Sequence, residues 1–162
     1  MTLLTLLQEQ RKFSVSAFGP APRLLGVLNH LKKELAEVRS APGDITEWAD
    51  CFLLCIDGSM RAGGDARHIA AYLSQGFMPE ESKCQDGWQF DVITTDLVVL
   101  ESQIGDWHRW ATMGYQVWLA AYHHGHHDLI TAATAKLAVN MARSWPDWRD
   151  TTEDQAIEHI KE

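Results

Sequence analysis

The feature that most constrains the fold of this chain is a pair of helical apolar patterns separated by a short turn. Residues 23–38 carry apolar side chains at every third or fourth position, which is the spacing of one face of an α-helix. Residues 41–44 have the composition of a turn, and a second helical pattern runs from Trp48 to Met60 with Asp44 or Thr46 as its N-cap. Because so short a turn returns the chain on itself, the sequence predicts an antiparallel helical hairpin.

The rest of the chain also favours helices. Amphipathic helices are predicted for residues 2–13, 65–75, 107–123, 128–143 and 152–161. Residues 88–100 have the composition of a strand, but we assign them to a helix because their neighbours are helical. Residues 76–87 are predicted to form a loop. With 162 residues, 46% of them apolar, the chain can build one core, so we expect a single all-α domain over residues 1–162.

The charge balance limits the classes of partner. Acidic residues outnumber basic residues by 22 to 14, so we expect no DNA or RNA polymer as a partner. No apolar run reaches the roughly 20 residues that cross a bilayer, and the N-terminus lacks the order of regions typical of a signal peptide. We therefore expect a cytoplasmic protein without a membrane partner, in which Cys51 and Cys55 are buried thiols rather than zinc ligands.

Four carboxylates occupy matching positions on the two hairpin helices. Glu34 and Glu37 are three residues apart on the first helix, and Glu47 and Asp50 are three apart on the second, so each pair shares a helix face. A hairpin can bring the two pairs together, where they would repel each other without a cation. Oxygen ligands suit Mg²⁺ or Mn²⁺, which often also bind substrate phosphates. Solvated helix-face charges are the alternative, and the spacing alone leaves both interpretations open.

A basic stripe is predicted near the C-terminus. Lys136, Asn140 and Arg143 are spaced four and three residues apart, which places them along one side of a helix. A point charge, an amide and a forked donor together suit an anionic polyphosphate. The alternative is an ordinary exposed basic face.

These motifs resemble those of the MazG-like all-α nucleoside triphosphate pyrophosphohydrolases. Glu34-Leu-Ala-Glu37 followed by Glu47-Trp-Ala-Asp50 is similar to the family's Glu-x-x-Glu, Glu-x-x-Asp motif. Two flanking segments, residues 10–19 and 136–148, look like the dATP/dGTP pyrophosphohydrolase branch, which includes phage enzymes that convert dGTP to dGMP for the synthesis of 2-aminoadenine nucleotides. Residues at about 76–133 lie outside the resemblance and look like a central insertion.

The resemblance implies a MazG-like helical bundle that hydrolyses a purine deoxynucleoside triphosphate to dNMP and pyrophosphate, with dGTP favoured and dATP second. It implies that Mg²⁺, or Mn²⁺ in its place, is bound by Glu34, Glu37, Glu47 and Asp50, and that the triphosphate is held by Lys136, Asn140 and Arg143. It further implies a homodimer or homotetramer, in the host cytoplasm if the protein is phage-encoded. A water activated by metal would attack the α-phosphorus, with Glu37 or Glu34 as the catalytic carboxylate.

Asp57 is the candidate for recognising the base. It lies seven residues after Asp50 on the same helix face, and a carboxylate can accept hydrogen bonds from guanine N1–H and N2–H₂. An ordinary exposed charge is an equal alternative. Phe18 and Trp145, together with Phe13, could stack on a purine or belong to the core.

Two other functions compete with this hypothesis. His127-Asp128, beside three further histidines in residues 123–126, faintly resembles the His-Asp step of HD-domain phosphohydrolases, so an HD-type dNTP phosphohydrolase is the alternative enzyme. We favour an exposed helix junction, because few of four histidines on one turn could share an ion. A non-enzymatic helical interaction module is the other alternative, with a partner surface formed by Trp88, Trp107, Trp110 and Trp118.

Overall fold

The computed structural model describes residues 1–76 and 88–160 and confirms the all-α prediction. Within these residues there is no strand, and each of the long helical patterns forms a helix. The elements are α1 (Leu3–Phe18), α2 (Leu24–Ser40), α3 (Ile45–Arg61), α4 (Ala66–Gly76), α5 (Trp88–Ser102), α6 (Trp107–His123), α7 (Leu129–Ala142) and a short 3₁₀ turn (Trp148–Asp150). The predicted loop at 76–87 lies almost entirely outside the described residues, as does Cys84.

The predicted hairpin of α2 and α3 forms the centre of the fold. Asp44 caps α3 by accepting a hydrogen bond from the Thr46 backbone N–H at 2.9 Å. The indole of Trp48 is fully buried and donates to the Pro42 carbonyl oxygen at 2.9 Å, which ties the helix to the preceding turn. α3 packs against α2, α6, α7 and α1, so it is the central helix of the fold.

The helices after the hairpin complete the core. Gly58 on α3 lies directly against the buried indole of Trp110 on α6, because a Cβ at residue 58 would be 2.1 Å from that ring. Cys51 and Cys55 are buried free thiols, as predicted, and burial raises the pKa of both. Residues 88–133 thus contribute to the core, while their status as an insertion stays a prediction.

One predicted helix boundary is wrong. α1 continues to Phe18 rather than ending at residue 13, because the side chain of Ser14 is buried against Arg61 and the left-handed backbone of Gly19, with φ of 79°, ends the helix instead.

The helix predicted for residues 152–161 is absent from the described residues of that segment. Here the backbone carbonyls of Thr152 and Gln155 accept hydrogen bonds from the Arg23 guanidinium at 2.7 and 3.4 Å rather than from helical N–H groups. The Ile160 N–H donates to the Ser144 carbonyl at 2.9 Å. These bonds hold the tail as an irregular strap across α2.

No helix in the described part of the chain combines the length and apolar character needed to span a membrane.

Candidate functional site

Three of the four predicted metal-binding carboxylates lie close together on the hairpin of α2 and α3. Glu34 and Glu37 project from α2 and Glu47 from α3, and one carboxylate oxygen of each lies within 4.8 Å of the others. Glu37 is exposed, whereas Glu34 and Glu47 are half-buried. Among the described residues this is the one group of three acidic, histidine or cysteine side chains close enough to share an ion. The donor set consists of oxygens only, which fits Mg²⁺ or Mn²⁺.

The electrostatics of this cluster favour a cation. Partial burial raises the pKa of Glu47, and the neighbouring charges of Glu37, Glu34 and Asp50 raise it further. Like charges held this close destabilise their own ionised forms unless a positive charge neutralises them. The three carboxylates therefore form an acidic centre that a divalent ion would stabilise.

The fourth carboxylate, Asp50, lies beside the cluster and is paired with a lysine. Its Oδ2 atom is 2.6 Å from Nζ of Lys136, and both side chains are largely buried, each 18% exposed. Burial raises the pKa of Asp50, and the hydrogen bond and charge of Lys136 partly oppose that rise. The predicted phosphate-binding lysine thus reaches across to a predicted metal ligand.

A histidine that the sequence analysis did not select orients one of the cluster carboxylates. His30 lies one turn before Glu34 on α2, and its Nε2 atom is 2.9 Å from Oε1 of Glu34. Such a hydrogen bond to a ligating carboxylate fixes its rotamer. The i,i+4 spacing of the two residues is the signal that could have identified this pair.

The predicted basic stripe lines the same cavity as the carboxylates. This cavity, which we call the phosphate cavity, is lined by Glu34, Glu37, Asp50, Lys136, Asn140, Arg143, Trp145, His30, Lys33, Glu158 and His159. Arg143 donates to the side-chain oxygen of Asn140 at 3.1 Å, and the Trp145 indole donates to the Asn140 backbone carbonyl at 2.8 Å. The stripe is therefore not a separate exposed face but the cationic wall of the cavity.

A second cavity adjoins the phosphate cavity and shares His30, Asp50, Asn140 and Trp145 with it. We call it the base cavity. Phe13, Phe18 and Trp145 meet there edge to face, with ring centroids 4.9 to 5.8 Å apart. All three are only partly buried, so their rings form a wall of the cavity rather than the interior of the core. A flat apolar ligand could pack against them.

Asp57 lies in the base cavity and is not an exposed charge. Its residue is 3% exposed, and Oδ2 accepts from Nε of Arg61 at 2.8 Å. Oδ1 is buried and has no hydrogen-bond partner among the described residues. An unpartnered buried acceptor is costly, so this atom marks a place where a ligand could donate.

Arg61 is a second residue that the sequence analysis missed. Its fully buried guanidinium also donates to the Ser14 hydroxyl at 2.5 Å and to the backbone carbonyls of Ser14, Gly19 and Ala21. These bonds anchor it to the end of α1, so the position of Asp57 is fixed by two helices. The spacing of Asp57 and Arg61, four residues apart on one helix, could have indicated the pair.

The C-terminal strap also contributes to the site. Gln155 and Ile157 line the base cavity, and Glu158 and His159 line the phosphate cavity, where Glu158 forms an ion pair with Lys33 on α2. The sequence analysis did not predict these contacts because it assigned this segment to a helix, whereas tertiary hydrogen bonds determine where the strap residues lie.

In the described part of the chain, the histidines of residues 123–127 and the tryptophans of the interaction-module hypothesis are not among the residues that line these two cavities. His126 hydrogen-bonds the Pro42 carbonyl at 2.9 Å, and His127 packs its ring against Tyr122 at the junction of α6 and α7. The described histidines and acidic residues there do not form a metal-binding group. Trp110 is fully buried and Trp118 packs against Phe52, so both belong to the core; the side chain of Trp88 lies outside the described residues.

Comparison with known proteins identifies the family. A family model described as dATP/dGTP pyrophosphohydrolase matches this chain in two segments, residues 6–89 and 84–162. Among curated proteins none matches the chain, and among solved structures none matches it either.

Proposed function

This chain belongs to the dATP/dGTP pyrophosphohydrolase family, and on that premise we propose that it hydrolyses a purine deoxynucleoside triphosphate to dNMP and pyrophosphate. We propose dGTP as the preferred substrate and dATP as the second. One observation carries the proposal: a cavity lined by both carboxylates and cations adjoins a second cavity lined by aromatic rings and the buried Asp57 carboxylate. That arrangement matches a triphosphate joined to a base.

The metal site of this proposal is the acidic cluster. Glu34, Glu37 and Glu47 would hold Mg²⁺, or Mn²⁺ in its place, and Asp50 is proposed as a further ligand on the edge shared with the lysine. When bound, a divalent cation neutralises phosphate charge and lowers the pKa of a coordinated water.

The cationic wall binds the phosphates. Lys136 and Arg143 line the phosphate cavity together with the carboxylates, so they stabilise negative charge on the departing pyrophosphate while Asn140 donates to a phosphate oxygen. Water attacks the α-phosphorus in line with the bond to that leaving group. Because its carboxylate is exposed and accepts no hydrogen bond from a described side chain, we assign Glu37 as the acceptor of the water's proton. Glu34, whose carboxylate is oriented by the hydrogen bond to His30, is the second proposed catalytic carboxylate.

The base cavity favours guanine. Oδ1 of Asp57 is available to accept from the N1–H and N2–H₂ edge of guanine, whereas adenine would direct the lone pair of N1 at the same oxygen. Phe13, Phe18 and Trp145 provide the apolar wall for the purine ring. This is the physical reason for placing dGTP ahead of dATP.

Assembly and location also stay proposals. We propose a homodimer or homotetramer in the cytoplasm. The assembly is supported by two exposed apolar side chains on α7, Val139 and Met141, which expose 50% and 55% of their surface beside Asn140 and Arg143. Sedimentation of the purified protein over a range of concentrations tests the assembly.

Ion-exchange analysis of products tests the activity. The protein is incubated with each common dNTP and NTP in the presence of Mg²⁺, Mn²⁺ or EDTA. The proposal predicts monophosphate and pyrophosphate from purine dNTPs, and none with EDTA. Nucleoside plus triphosphate would instead support an HD-type phosphohydrolase, and no turnover would support the interaction module.

A further inference from the structure

A second unpartnered acceptor lines the base cavity. Gln10 on α1 is 5% exposed, and its Oε1 atom is buried without a hydrogen-bond partner among the described residues. Gln10 and Asp57 both line this cavity. Two buried acceptors without donors in one cavity are unusual, because each loses its hydration without compensation.

Asp57 offers one unpartnered oxygen to the two donor groups of the guanine edge. Its Oδ2 atom is already bonded to Arg61, so one carboxylate oxygen remains for a ligand. Guanine presents two adjacent donor groups, N1–H and the N2 amine. A second acceptor gives each donor an oxygen of its own, and Gln10 supplies one.

We propose that Gln10 is a second specificity-determining residue, accepting a hydrogen bond from the N2 amine of guanine while Asp57 accepts from N1–H. This inference rests on the proposed function. The position of Gln10 supports it, because residues 10, 13, 14 and 18 share one face of α1. The same helix face therefore carries Gln10, two rings of the aromatic wall and the serine that anchors Arg61.

A comparison of three bases distinguishes the hydrogen bond to Gln10 from the hydrogen bond to Asp57. Hypoxanthine has the N1–H of guanine but lacks the N2 amine, whereas adenine lacks both. The step from dGTP to dITP therefore measures the hydrogen bond to Gln10, and the step from dITP to dATP measures the one to Asp57. A site built to hold a donor rejects the analogue that lacks it.

The test is the kcat/KM of the full chain for dGTP, dITP and dATP, measured for the wild type, Gln10→Met and Gln8→Met. Methionine keeps the length of the side chain but removes the acceptor, and Gln8 is an exposed glutamine of the same helix. The wild type is expected to prefer dGTP over dITP by about tenfold, the effect of about one hydrogen bond. Gln10→Met is expected to bring that ratio close to one and to retain the ratio of dITP to dATP, while Gln8→Met changes neither ratio.

Two results would overturn the inference while leaving the proposed function intact: a wild type that hydrolyses dGTP and dITP equally well, or a Gln10→Met variant with an unchanged ratio. Failure to hydrolyse any nucleotide with Mg²⁺ would instead overturn the proposed function, and the inference with it. If Gln10→Met does not give a cooperative thermal transition, Gln10→Asn, which withdraws the amide by one methylene, replaces it. The wild-type ratio of kcat/KM for dGTP to that for dITP tests the inference without either variant.

Discussion

Nζ of Lys136 lies 2.6 Å from Oδ2 of Asp50, so the predicted phosphate-binding lysine is bonded to one of the predicted metal-binding carboxylates. This bond links α7 to α3 within the phosphate cavity. An anion bound in this cavity would meet a lysine already held in place, which reduces the side-chain entropy lost on binding.

Lys136→Met is predicted to lower kcat/KM for the purine dNTP by about 10²- to 10³-fold, as expected for removal of one preorganised cationic contact. It also removes the charge that partly opposes the rise in the pKa of Asp50 caused by burial. Steady-state kinetics measure the effect. Lys12→Met is the control, because Lys12 is exposed and forms its ion pair with Glu9 on the same helix, and equal losses in the two variants would contradict a role for Lys136.

Glu47→Gln is predicted to raise the Tm of the protein in EDTA. The native pKa of Glu47 is raised above its unfolded value, so the native state binds more protons and stability falls as pH rises from the unfolded value through the native one. The charge of Glu47 therefore destabilises the metal-free protein at neutral pH, and glutamine removes that cost.

The same variant is predicted to lose its response to Mg²⁺. Wild-type protein at a Mg²⁺ concentration of about 100 Kd gains about 2.7 kcal/mol from ligand binding, and this gain decreases toward pH 4 as Glu47 takes up a proton. Differential scanning fluorimetry from pH 4 to 8 measures both effects. Glu101→Gln, at an exposed ion pair with Lys32, serves as the control; a Mg²⁺ response in Glu47→Gln as large as in the wild type would contradict the site.

Asp57→Asn is predicted to erase the preference for dGTP over dATP. The amide can still accept from Arg61 through its oxygen, but it then presents an NH₂ donor to the base cavity where guanine also has donors. Competition between the two nucleotides in one reaction measures the preference directly. Unchanged relative specificity would refute the role of Asp57.

Asp57→Ala is predicted to destabilise the fold as well as change specificity. It leaves the buried Arg61 guanidinium without its carboxylate, and breaking a buried ion pair costs about 3 to 5 kcal/mol. Urea unfolding compares it with the wild type. A stability equal to that of the wild type would show that the Arg61 bonds to backbone carbonyls suffice.

Gly58→Ala tests the packing of α6 against α3. A Cβ at residue 58 would lie 2.1 Å from the Trp110 ring, so the two helices would have to separate. We predict a loss of about 1 to 3 kcal/mol or more in the free energy of unfolding. Gly43→Ala is the control because a Cβ there meets nothing within 4 Å; similar losses in both variants would contradict the close contact.

The sequence was most informative where local patterns decide the structure. The apolar spacing of residues 23–38, the Asp44 cap and the two carboxylate pairs predicted the hairpin, and three of the four carboxylates converge in the structure. The face shared by Glu34 and Glu37 follows from helix geometry alone, so it required no knowledge of the rest of the fold.

The sequence was least informative where tertiary contacts decide. The strap at residues 152–160 has a helix-like pattern, but its backbone is bonded to Arg23 from more than a hundred residues away. The extension of α1 depends on Ser14 and the buried Arg61 in the same way. The sequence did not single out Gln10 and left Asp57 equally open to base recognition or to an exposed charge, and only the packing of α1 on α3 places both in one cavity.

The most direct test of the account is hydrolysis of dGTP in water enriched in oxygen-18, with Mg²⁺ or with EDTA, followed by mass spectrometry of the products. The account predicts Mg²⁺-dependent formation of dGMP and pyrophosphate, with one labelled oxygen in dGMP, because water attacks the α-phosphorus. Label in the pyrophosphate, release of intact triphosphate, or turnover that EDTA does not diminish would contradict it.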